Sequence, residues 1–319
     1  MERVRISGRI YTDPDVLSLI RAHAEPVDPQ REVVRRAREL NQQLRNWDEV
    51  IDPRQRLEVL ASFAGLKVSP MSGSGLGTGS REALIYRDTD GSRRVFYDPT
   101  RGDGRVNFSI AHEIVHTFFP SSVNGARFRG LCADDSKEGS ELERLCHRGA
   151  AELLMPAEEF IEGLGDEAGL SAVPRLSQRF GSSYEATVYR LATAYEGIAV
   201  AGILQFRYRK EEARRVASKL QPFLFDGFEE GALPKPMLRR QSLHLSDDCG
   251  DEHMIPWNKS FDAQSCVYRA AVQSEIQFAN ERLPNRCNAL GLLEAVRAPY
   301  QRPGSDPEQP DVLFFWRKE

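Results

Sequence analysis

The stretch Phe108-Ser-Ile-Ala-His-Glu-Ile-Val-His-Thr-Phe-Phe119 decides how the rest of this chain is interpreted. His112 and His116 are four residues apart, so on a helix both side chains lie on one face. Two neutral imidazoles at this spacing can bind one Zn²⁺, and Glu113 between them is placed to act as a general base. Apolar residues cover most of the helix circumference, which predicts a helix buried at the centre of a domain. Because burying these three polar side chains without partners is costly, the stretch favours a metal site.

Length, charge and cysteine usage limit the classes of protein that fit. The 319 residues are enough for two domains, and the 43 basic and 47 acidic residues give a formal net charge of -4, which argues against bulk coating of nucleic acid. We find neither an apolar run of the roughly 20 residues that span a bilayer nor an apolar signal-peptide segment. Five cysteines, an odd number without a Cys-x-x-Cys pair, favour reduced thiols. The sequence therefore predicts a soluble, cytoplasmic protein with no membrane partner.

A zinc hydrolase needs a third protein ligand and an open position for water. Glu143 lies at the edge of an apolar helical stripe within residues 138–156, one turn before His147. Three other carboxylates in this segment are rival ligands: Glu138, Glu141 and Glu152. Ser140 and Glu143 also fit a capping box, in which the carboxylate turns back to the Ser140 amide. Spacing alone leaves these alternatives open.

These residues resemble the ImmA/IrrE family of bacterial metallopeptidases. The family pattern is an Arg-x-x-Phe-Ser/Thr-x-Ala-His-Glu-x-x-His helix followed by Glu-x-x-Ala-Asn/Asp-x-x-Ala-x-x-Leu-Leu-Met-Pro. The matching residues are Arg105, Phe108, Ser109, Ala111, His112, Glu113, His116, Glu143, Ala150, Leu153, Leu154, Met155 and Pro156. The resemblance spans roughly residues 30–195. It implies that His112, His116 and Glu143 bind Zn²⁺. It also implies that Glu113 is the catalytic glutamate.

Three residues depart from the family pattern near the expected metal ligands. Cys146 stands where the family usually has Ala, His147 where it has Asn or Asp, and Gly149 where it has Phe. A neutral His147 can hydrogen-bond a metal-binding imidazole but brings no negative charge to raise its basicity; as an alternative it is a core histidine. Candidates for stabilising an oxyanion are Tyr97, Arg105 and His147.

An isolated cysteine lies between the two sequence blocks. Cys132 follows His116 by 16 residues and precedes Glu143 by 11, so the chain can carry its thiolate back to the metal. A thiolate in the fourth coordination position would exclude water and hold the enzyme inactive, as a cysteine switch. The alternative is a loop thiol packed against Phe128 and Leu131.

The fold class predicted from the sequence is α+β. Residues 1–196 are expected to form a mainly helical, zincin-like metallopeptidase domain with a small sheet. Its N-terminal part is predicted mostly helical, with helices over residues 29–44 and from Pro53, followed by a strand hairpin at 83–86 and 94–97. Residues 197–319 are expected to form an α+β regulatory domain with a mainly antiparallel sheet, for which a GAF-like fold is one candidate.

Two segments raise the question of nucleic-acid binding. The helical pair at 170–195 resembles a helix-turn-helix with Arg179, Tyr184 and Arg190 as contacts, and packing within the catalytic domain is the favoured alternative. Residues 205–240 hold nine basic and five acidic residues among several aromatics. A segment with this composition can bind single-stranded nucleic acid. A domain core with a solvated face explains the composition equally well.

The second domain is predicted from strand-like runs. They lie at residues 198–210, 242–245, 265–272, 289–296 and 312–316. His244, Cys249 and His253 are close in sequence, but their spacing fits no zinc template.

The resemblance implies a zinc endopeptidase that cleaves a helix-turn-helix repressor and so derepresses mobile-element, stress-response or anti-phage genes. The layout is similar to that of CapP-like members, which respond to single-stranded DNA, so the C-terminal domain is expected to sense single-stranded DNA or a small molecule. The alternative is a regulator that binds DNA directly and holds a structural zinc. A peptidase for general protein turnover is a third hypothesis.

Overall fold

The computed structural model describes residues 2–46, 52–71, 82–87, 91–119, 141–165, 169–219, 234–302 and 306–318. The chain divides into two compact units, Met1–Gly163 with Arg175–Ser183 and Leu164–Pro174 with Tyr184–Glu319. The first unit is mainly helical with small sheets, and the second is built on an antiparallel sheet, so the predicted α+β class is confirmed. The functional boundary between residues 196 and 197 stays a prediction.

Up to residue 183 the described chain forms seven helices and five strands. In order they are β1 (Val4–Ile6), β2 (Arg9–Tyr11), α1 (Pro14–Arg21), α2 (Pro29–Gln42), α3 (Pro53–Phe63), β3 (Leu66–Pro70), β4 (Ala83–Arg87), β5 (Arg93–Tyr97), α4 (Asp103–His116), α5 (Glu141–Leu154), α6 (Ala157–Leu164) and α7 (Val173–Phe180). The sequence analysis did not single out two of these helices, α1 and α6. The strands β1 and β2 form an antiparallel pair in a region predicted to be mostly helical.

The first three helices begin in the same way, at an Asp-Pro pair. Asp13, Asp28 and Asp52 each accept hydrogen bonds from two backbone N–H groups of the first helical turn. The following proline occupies the first helical position, where its missing N–H costs no hydrogen bond and its fixed φ suits the helix. This local chemistry explains why the predicted starts at Pro29 and Pro53 are confirmed.

A three-stranded sheet in the order β3-β5-β4 precedes α4. The strands β4 and β5 pair antiparallel, which confirms the predicted hairpin, and Ile85 lies opposite Val95. The sequence did not predict β3, which pairs parallel with β5 through Val68 and Val95. A parallel partner has no turn signal beside it, because the two strands are joined by a long crossover rather than a tight turn.

The helix α4 lies at the centre of the first unit, against α5 and near α2. Its fully or nearly fully buried apolar side chains are Val106, Ile110, Ala111, Ile114 and Val115. At Gly149 on α5, an added Cβ would lie 2.6 Å from Val33 Cγ1 and 2.7 Å from Val115 Cγ1. Both distances are too short for real carbon contacts, so the approach of these helices requires glycine at this position.

A buried carboxylate anchors α2 to the residues that follow α4. Glu32 is 4% exposed and accepts hydrogen bonds from Arg35 at 2.8 Å and from Arg36 Nε at 2.6 Å. These bonds, the Arg35 bond first, lower the pKa of Glu32 to about 2 against the opposing effect of burial, so the carboxylate is ionised at neutral pH. Arg36 also donates through Nη1 to the Phe118 carbonyl oxygen at 2.5 Å. The end of α4, where His116 lies, is thereby held against α2.

The second unit contains three α-helices and five strands among its described residues. They are α8 (Tyr184–Ala194), β6 (Ala199–Arg207), α9 (Lys210–Lys219), β7 (Met237–Leu245), α10 (Cys266–Val272), β8 (Gln277–Arg282), β9 (Leu290–Arg297) and β10 (Val312–Arg317). The strands form one sheet in the order β7-β6-β10-β9-β8, in which every neighbouring pair is antiparallel. This confirms the predicted type of sheet and four of the five predicted strands.

The fifth predicted strand, over residues 265–272, is wrong because this segment is the helix α10. Ser265 caps the helix by accepting a hydrogen bond from the Val267 N–H at 3.4 Å. The buried residues Cys266, Val267, Ala270 and Ala271 follow helical spacing and join the core of the sheet domain. For so short an apolar run, strand and helix periods cannot be separated by pattern alone. The fifth strand of the sheet is instead the edge strand β8, which the sequence did not predict. Its side chains alternate between partly buried and exposed.

The two helices of the helix-turn-helix candidate belong mainly to different units, α7 to the first and α8 to the second. Arg190 on α8 is 6% exposed, so its guanidinium is packed inside the unit and cannot reach a phosphate. Arg179 lies over the Phe180 ring at 5.3 Å.

Among the helices that the structure describes, none has both the length and the apolar composition needed to cross a lipid bilayer.

Candidate metal centre

Three side-chain atoms from α4 and α5 meet at one point of the first unit. His112 Nε2 lies 3.1 Å from His116 Nε2 and 3.1 Å from Glu143 Oε2. The third separation, between His116 Nε2 and Glu143 Oε2, is 3.9 Å. The structure thus brings together the three residues that the resemblance implies as ligands. Their helical spacing explains the first pair, and the packing of α5 on α4 supplies the carboxylate.

The geometry of these atoms fits a zinc ion. Ligands about 2.0–2.2 Å from a tetrahedral Zn²⁺ lie roughly 3.3 Å from one another, which falls within the observed range of separations. Two imidazoles and one carboxylate are also a donor set found in zinc hydrolases. The side chains of His112, His116 and Glu143 are 12%, 14% and 16% exposed, so water can reach the point where they meet.

The rival carboxylates on α5 are used elsewhere. Glu141 accepts hydrogen bonds from the backbone N–H groups of Thr12 and Asp13, at 2.8 and 3.1 Å. Glu152 is buried and pairs with Arg38 Nε at 2.9 Å. Both glutamates therefore fasten N-terminal segments to α5. Glu138 and Ser140 lie outside the described residues.

Glu113 follows His112 on α4 and, like both histidines, is half-buried. It is therefore one helical position from a predicted ligand, on the helix that carries both histidines. The C-terminal end of α4 lies at the same place, and its backbone carbonyls favour a cation there.

Cys146 lies next to the site. The sequence analysis had noted it only as a departure from the family pattern. Its side chain is fully buried, and Sγ lies 3.4 Å from His116 Nδ1. His112, His116 and Cys146 together form a group whose ligand atoms lie within 4.8 Å of one another. The signal was present in the spacing, because Cys146 follows Glu143 by three residues and so lies on the same face of a helix.

His147 lies beside the predicted ligands. Its ring centroid is 4.9 Å from that of His112 and 5.7 Å from that of Phe108, while part of the imidazole is exposed. Desolvation first, and the charge of His112 second, lower the pKa of His147 to about 4. A neutral imidazole at neutral pH still carries one N–H donor.

The other two oxyanion candidates make contacts away from these atoms. Arg105 Nε pairs with Glu82 Oε1 at 2.5 Å, and Ser109 Oγ donates to the same carboxylate at 3.2 Å. These contacts join α4 to the residue before β4. The Tyr97 ring lies under the Arg54 guanidinium, 4.9 Å from its carbon atom.

Cys132, the candidate switch, lies outside the described residues. In the second unit, Cys249 Sγ donates to the Ala199 carbonyl oxygen at 3.2 Å, His253 Nδ1 accepts from the Gly250 N–H, and His244 stacks on Tyr189. Among the described residues of that unit, no group of three His, Cys or carboxylate side chains has the mutual spacing of a metal site.

An exposed aromatic side chain of the second unit lies between two arginines. Trp257 is 58% exposed, with the Arg240 guanidinium 4.3 Å and the Arg207 guanidinium 5.9 Å from its ring centroid. Arg207 and Arg240 come from the paired strands β6 and β7. We call these three residues the Trp257 surface. Three aromatic residues of the segment 205–240 lie outside the described residues: Phe223, Phe225 and Phe228.

Three comparisons with known proteins bear on the family and the fold. No curated protein matches the chain. A Mycobacterium tuberculosis transcriptional regulator of known structure has a TM-score of 0.52 with 13% identity, covering 91% of this chain and 76% of that one. At this identity the likeness concerns the fold alone. Residues 66–192 match a peptidase family model, the IrrE N-terminal-like domain, and this range contains α4, α5 and the converging atoms. Residues 66–192 are therefore a domain of the ImmA/IrrE metallopeptidase family.

Proposed function

We propose that this protein is a zinc-dependent endopeptidase that cleaves a partner helix-turn-helix repressor and thereby derepresses stress-response, mobile-element or anti-phage genes. The observation that carries the proposal is the convergence of His112 Nε2, His116 Nε2 and Glu143 Oε2 beside Glu113. Three ligands with access for water are the arrangement of a catalytic zinc rather than a structural one. The repressor as substrate rests on the family resemblance.

Each residue of the site has a separate role in the proposed peptide hydrolysis. Zinc held by His112, His116 and Glu143 would supply a Lewis acid for the scissile carbonyl and the attacking water. Glu113 takes a proton from that water as its oxygen attacks the carbonyl carbon. When the C–N bond breaks, Glu113 delivers the proton to the leaving amine. His147, neutral and partly exposed, offers an N–H to the developing oxyanion.

The competing hypothesis of a direct DNA-binding regulator with structural zinc has less support. A structural zinc has four protein ligands and no open position, whereas the three converging side chains are reached by solvent. Arg190, one of its expected DNA contacts, is buried.

The Glu113→Gln variant tests catalysis. We expect repressor cleavage to fall by at least about 10²-fold while zinc content stays near one per chain, because glutamine fits the same space but takes no proton. Cleavage is followed by electrophoresis of the repressor encoded nearest to this gene, with Glu58→Gln on the exposed side of α3 as the matched control. Unchanged cleavage by Glu113→Gln would refute its role. Salt-dependent duplex binding that Glu113→Gln leaves intact, together with no cleavage by the wild type, would favour the DNA-binding regulator.

The Glu143→Ala variant tests the third ligand. We expect purified Glu143→Ala to lose most of its zinc, because two imidazoles bind the ion far more weakly than three ligands. Glu141→Ala is the matched control: it removes a carboxylate from the first turn of the same helix, one that faces Thr12 and Asp13. Zinc is measured by atomic absorption after dialysis. Equal zinc in the two variants would contradict the assignment.

We also propose that Cys132 binds the metal in the resting enzyme and holds it inactive. The support is its position in the chain between the two sequence blocks. Cys132→Ser is expected to raise basal repressor cleavage, because serine is a much poorer zinc ligand than a thiolate. The matched control is Cys287→Ser, a thiol of the second unit. Basal cleavage that stays at the wild-type level in Cys132→Ser would exclude the switch.

The activator is proposed to be single-stranded DNA or a small molecule that binds the second unit. The Trp257 surface supports the DNA alternative, since an exposed aromatic ring beside two guanidinium groups can stack on a base while the charges follow phosphates.

Replacing Trp257 by Ala is expected to weaken binding of a fluorescent oligothymidine about tenfold or more, the loss expected from one stacked base. Phe278→Ala is the matched control, because Phe278 is an exposed aromatic of the same unit on β8. Anisotropy at several salt concentrations measures the affinities. Equal binding by both variants would place the activator elsewhere or favour a small molecule.

A further inference from the structure

The two ring nitrogens of His116 have different partners. Nε2 lies with the converging atoms, 3.1 Å from His112 Nε2, whereas Nδ1 lies 3.4 Å from the sulfur of Cys146. We propose that Cys146 is a positioning residue of the metal centre: its sulfur accepts a hydrogen bond from His116 Nδ1–H and so presents an unprotonated Nε2 to the metal. This inference rests on the proposed function, because it deepens the account of that same site.

The position of the proton follows from the chemistry of imidazole. A neutral imidazole carries one N–H, and a metal binds only the other nitrogen. If Nε2 binds the metal, the proton is on Nδ1, and Cys146 Sγ at 3.4 Å is placed to accept it in a hydrogen bond. The opposite arrangement, in which the thiol donates to Nδ1, would put the ring proton on Nε2 and prevent coordination. Metal binding through Nε2 therefore fixes the direction of the hydrogen bond.

Partners of this kind orient metal-binding histidines. They fix the tautomer and the ring orientation, and their loss costs about 10–100-fold in metal affinity. From the sequence, His147 was one candidate for this task, with a core histidine as the alternative. Its described contacts are ring contacts with His112 and Phe108. The hydrogen-bonded contact is made instead by Cys146, the residue before His147, and its partner is His116.

A direct bond between Cys146 and the metal is the rival assignment, since His112, His116 and Cys146 have the composition of a zinc site. Two observations favour the positioning role. The sulfur faces Nδ1 of His116, whereas Glu143 and His112 face Nε2, and one imidazole gives only one nitrogen to a given ion. Cys146 is also fully buried, whereas His112, His116 and Glu143 keep 12–16% exposure on the side that water reaches.

Alanine and serine at position 146 separate the hydrogen bond from packing. Both remove the volume of the sulfur, but serine keeps a hydrogen-bond acceptor at position 146 and alanine removes it. The Cys146→Ser and Cys146→Ala variants are therefore matched in cavity and differ in the interaction that the inference concerns.

The test uses the full chain carrying Cys132→Ser, so that Cys132 cannot contribute to the signal. Zinc affinity is measured by competition with a chromophoric chelator, and Co²⁺ replaces zinc for absorption spectroscopy. We expect Cys146→Ala to bind zinc about tenfold or more weakly, and Cys146→Ser to recover at least half of that loss on a logarithmic scale. The Co²⁺ protein is expected to lack the thiolate-to-cobalt charge-transfer band with or without Cys146.

Two results would overturn the inference alone. Equal zinc affinity of the Cys146→Ala variant and its parent would exclude a positioning role. A charge-transfer band that is present in the parent and absent in Cys146→Ser would make Cys146 a ligand. The second measurement needs only the serine variant, so it decides the question even if Cys146→Ala does not fold. A parent protein that binds no zinc would instead refute the proposed metal centre, and the inference with it.

Discussion

The close approach of α5 to α2 and α4 at Gly149 is the constraint on which the candidate site depends. A Cβ there would lie within 2.7 Å of methyl groups of Val33 and Val115, so a larger side chain would force the helices apart. Glu143 is 31 residues from His112 in the chain, yet their ligand atoms are 3.1 Å apart. The distance between α5 and α4 therefore controls whether the Glu143 carboxylate and the Cys146 thiol reach the histidines of α4.

Polar side chains around this packed core each have a separate structural or chemical task. Glu32 and Arg36 hold the residues after α4, and Glu141 and Glu152 fasten N-terminal segments to α5. Buried carboxylates with charged or backbone donors avoid the desolvation cost of isolated ions. The Glu143 carboxylate and the imidazoles of His112 and His116 turn toward each other, and a cation between them would stabilise this arrangement. When both imidazoles are neutral, their lone pairs and the carboxylate can all bind one metal ion.

The second unit has a hydrophobic core of its own, formed by the five-stranded sheet and α10. Its buried aromatic residues include Phe261, Phe314 and Trp316. Arginine and aromatic side chains remain on its surface at Trp257. Because the second unit has its own hydrophobic core, its surface residues can change without disturbing the packing around the candidate metal centre of the first unit.

The sequence by itself determined features that depend on neighbours within a few residues: the shared helical face of His112 and His116, the Asp-Pro helix starts, and most strands of the second unit. Local spacing left several glutamates open, and the family resemblance pointed to Glu143. Only the tertiary structure decided how close that carboxylate comes to the histidines, which nitrogen of His116 faces Cys146, and that residues 266–272 are helical. Periodicity specifies which face of an element is apolar, but not which element it packs against or at what distance. Ligands contributed by a second helix depend on that packing, so their geometry cannot be obtained from local pattern.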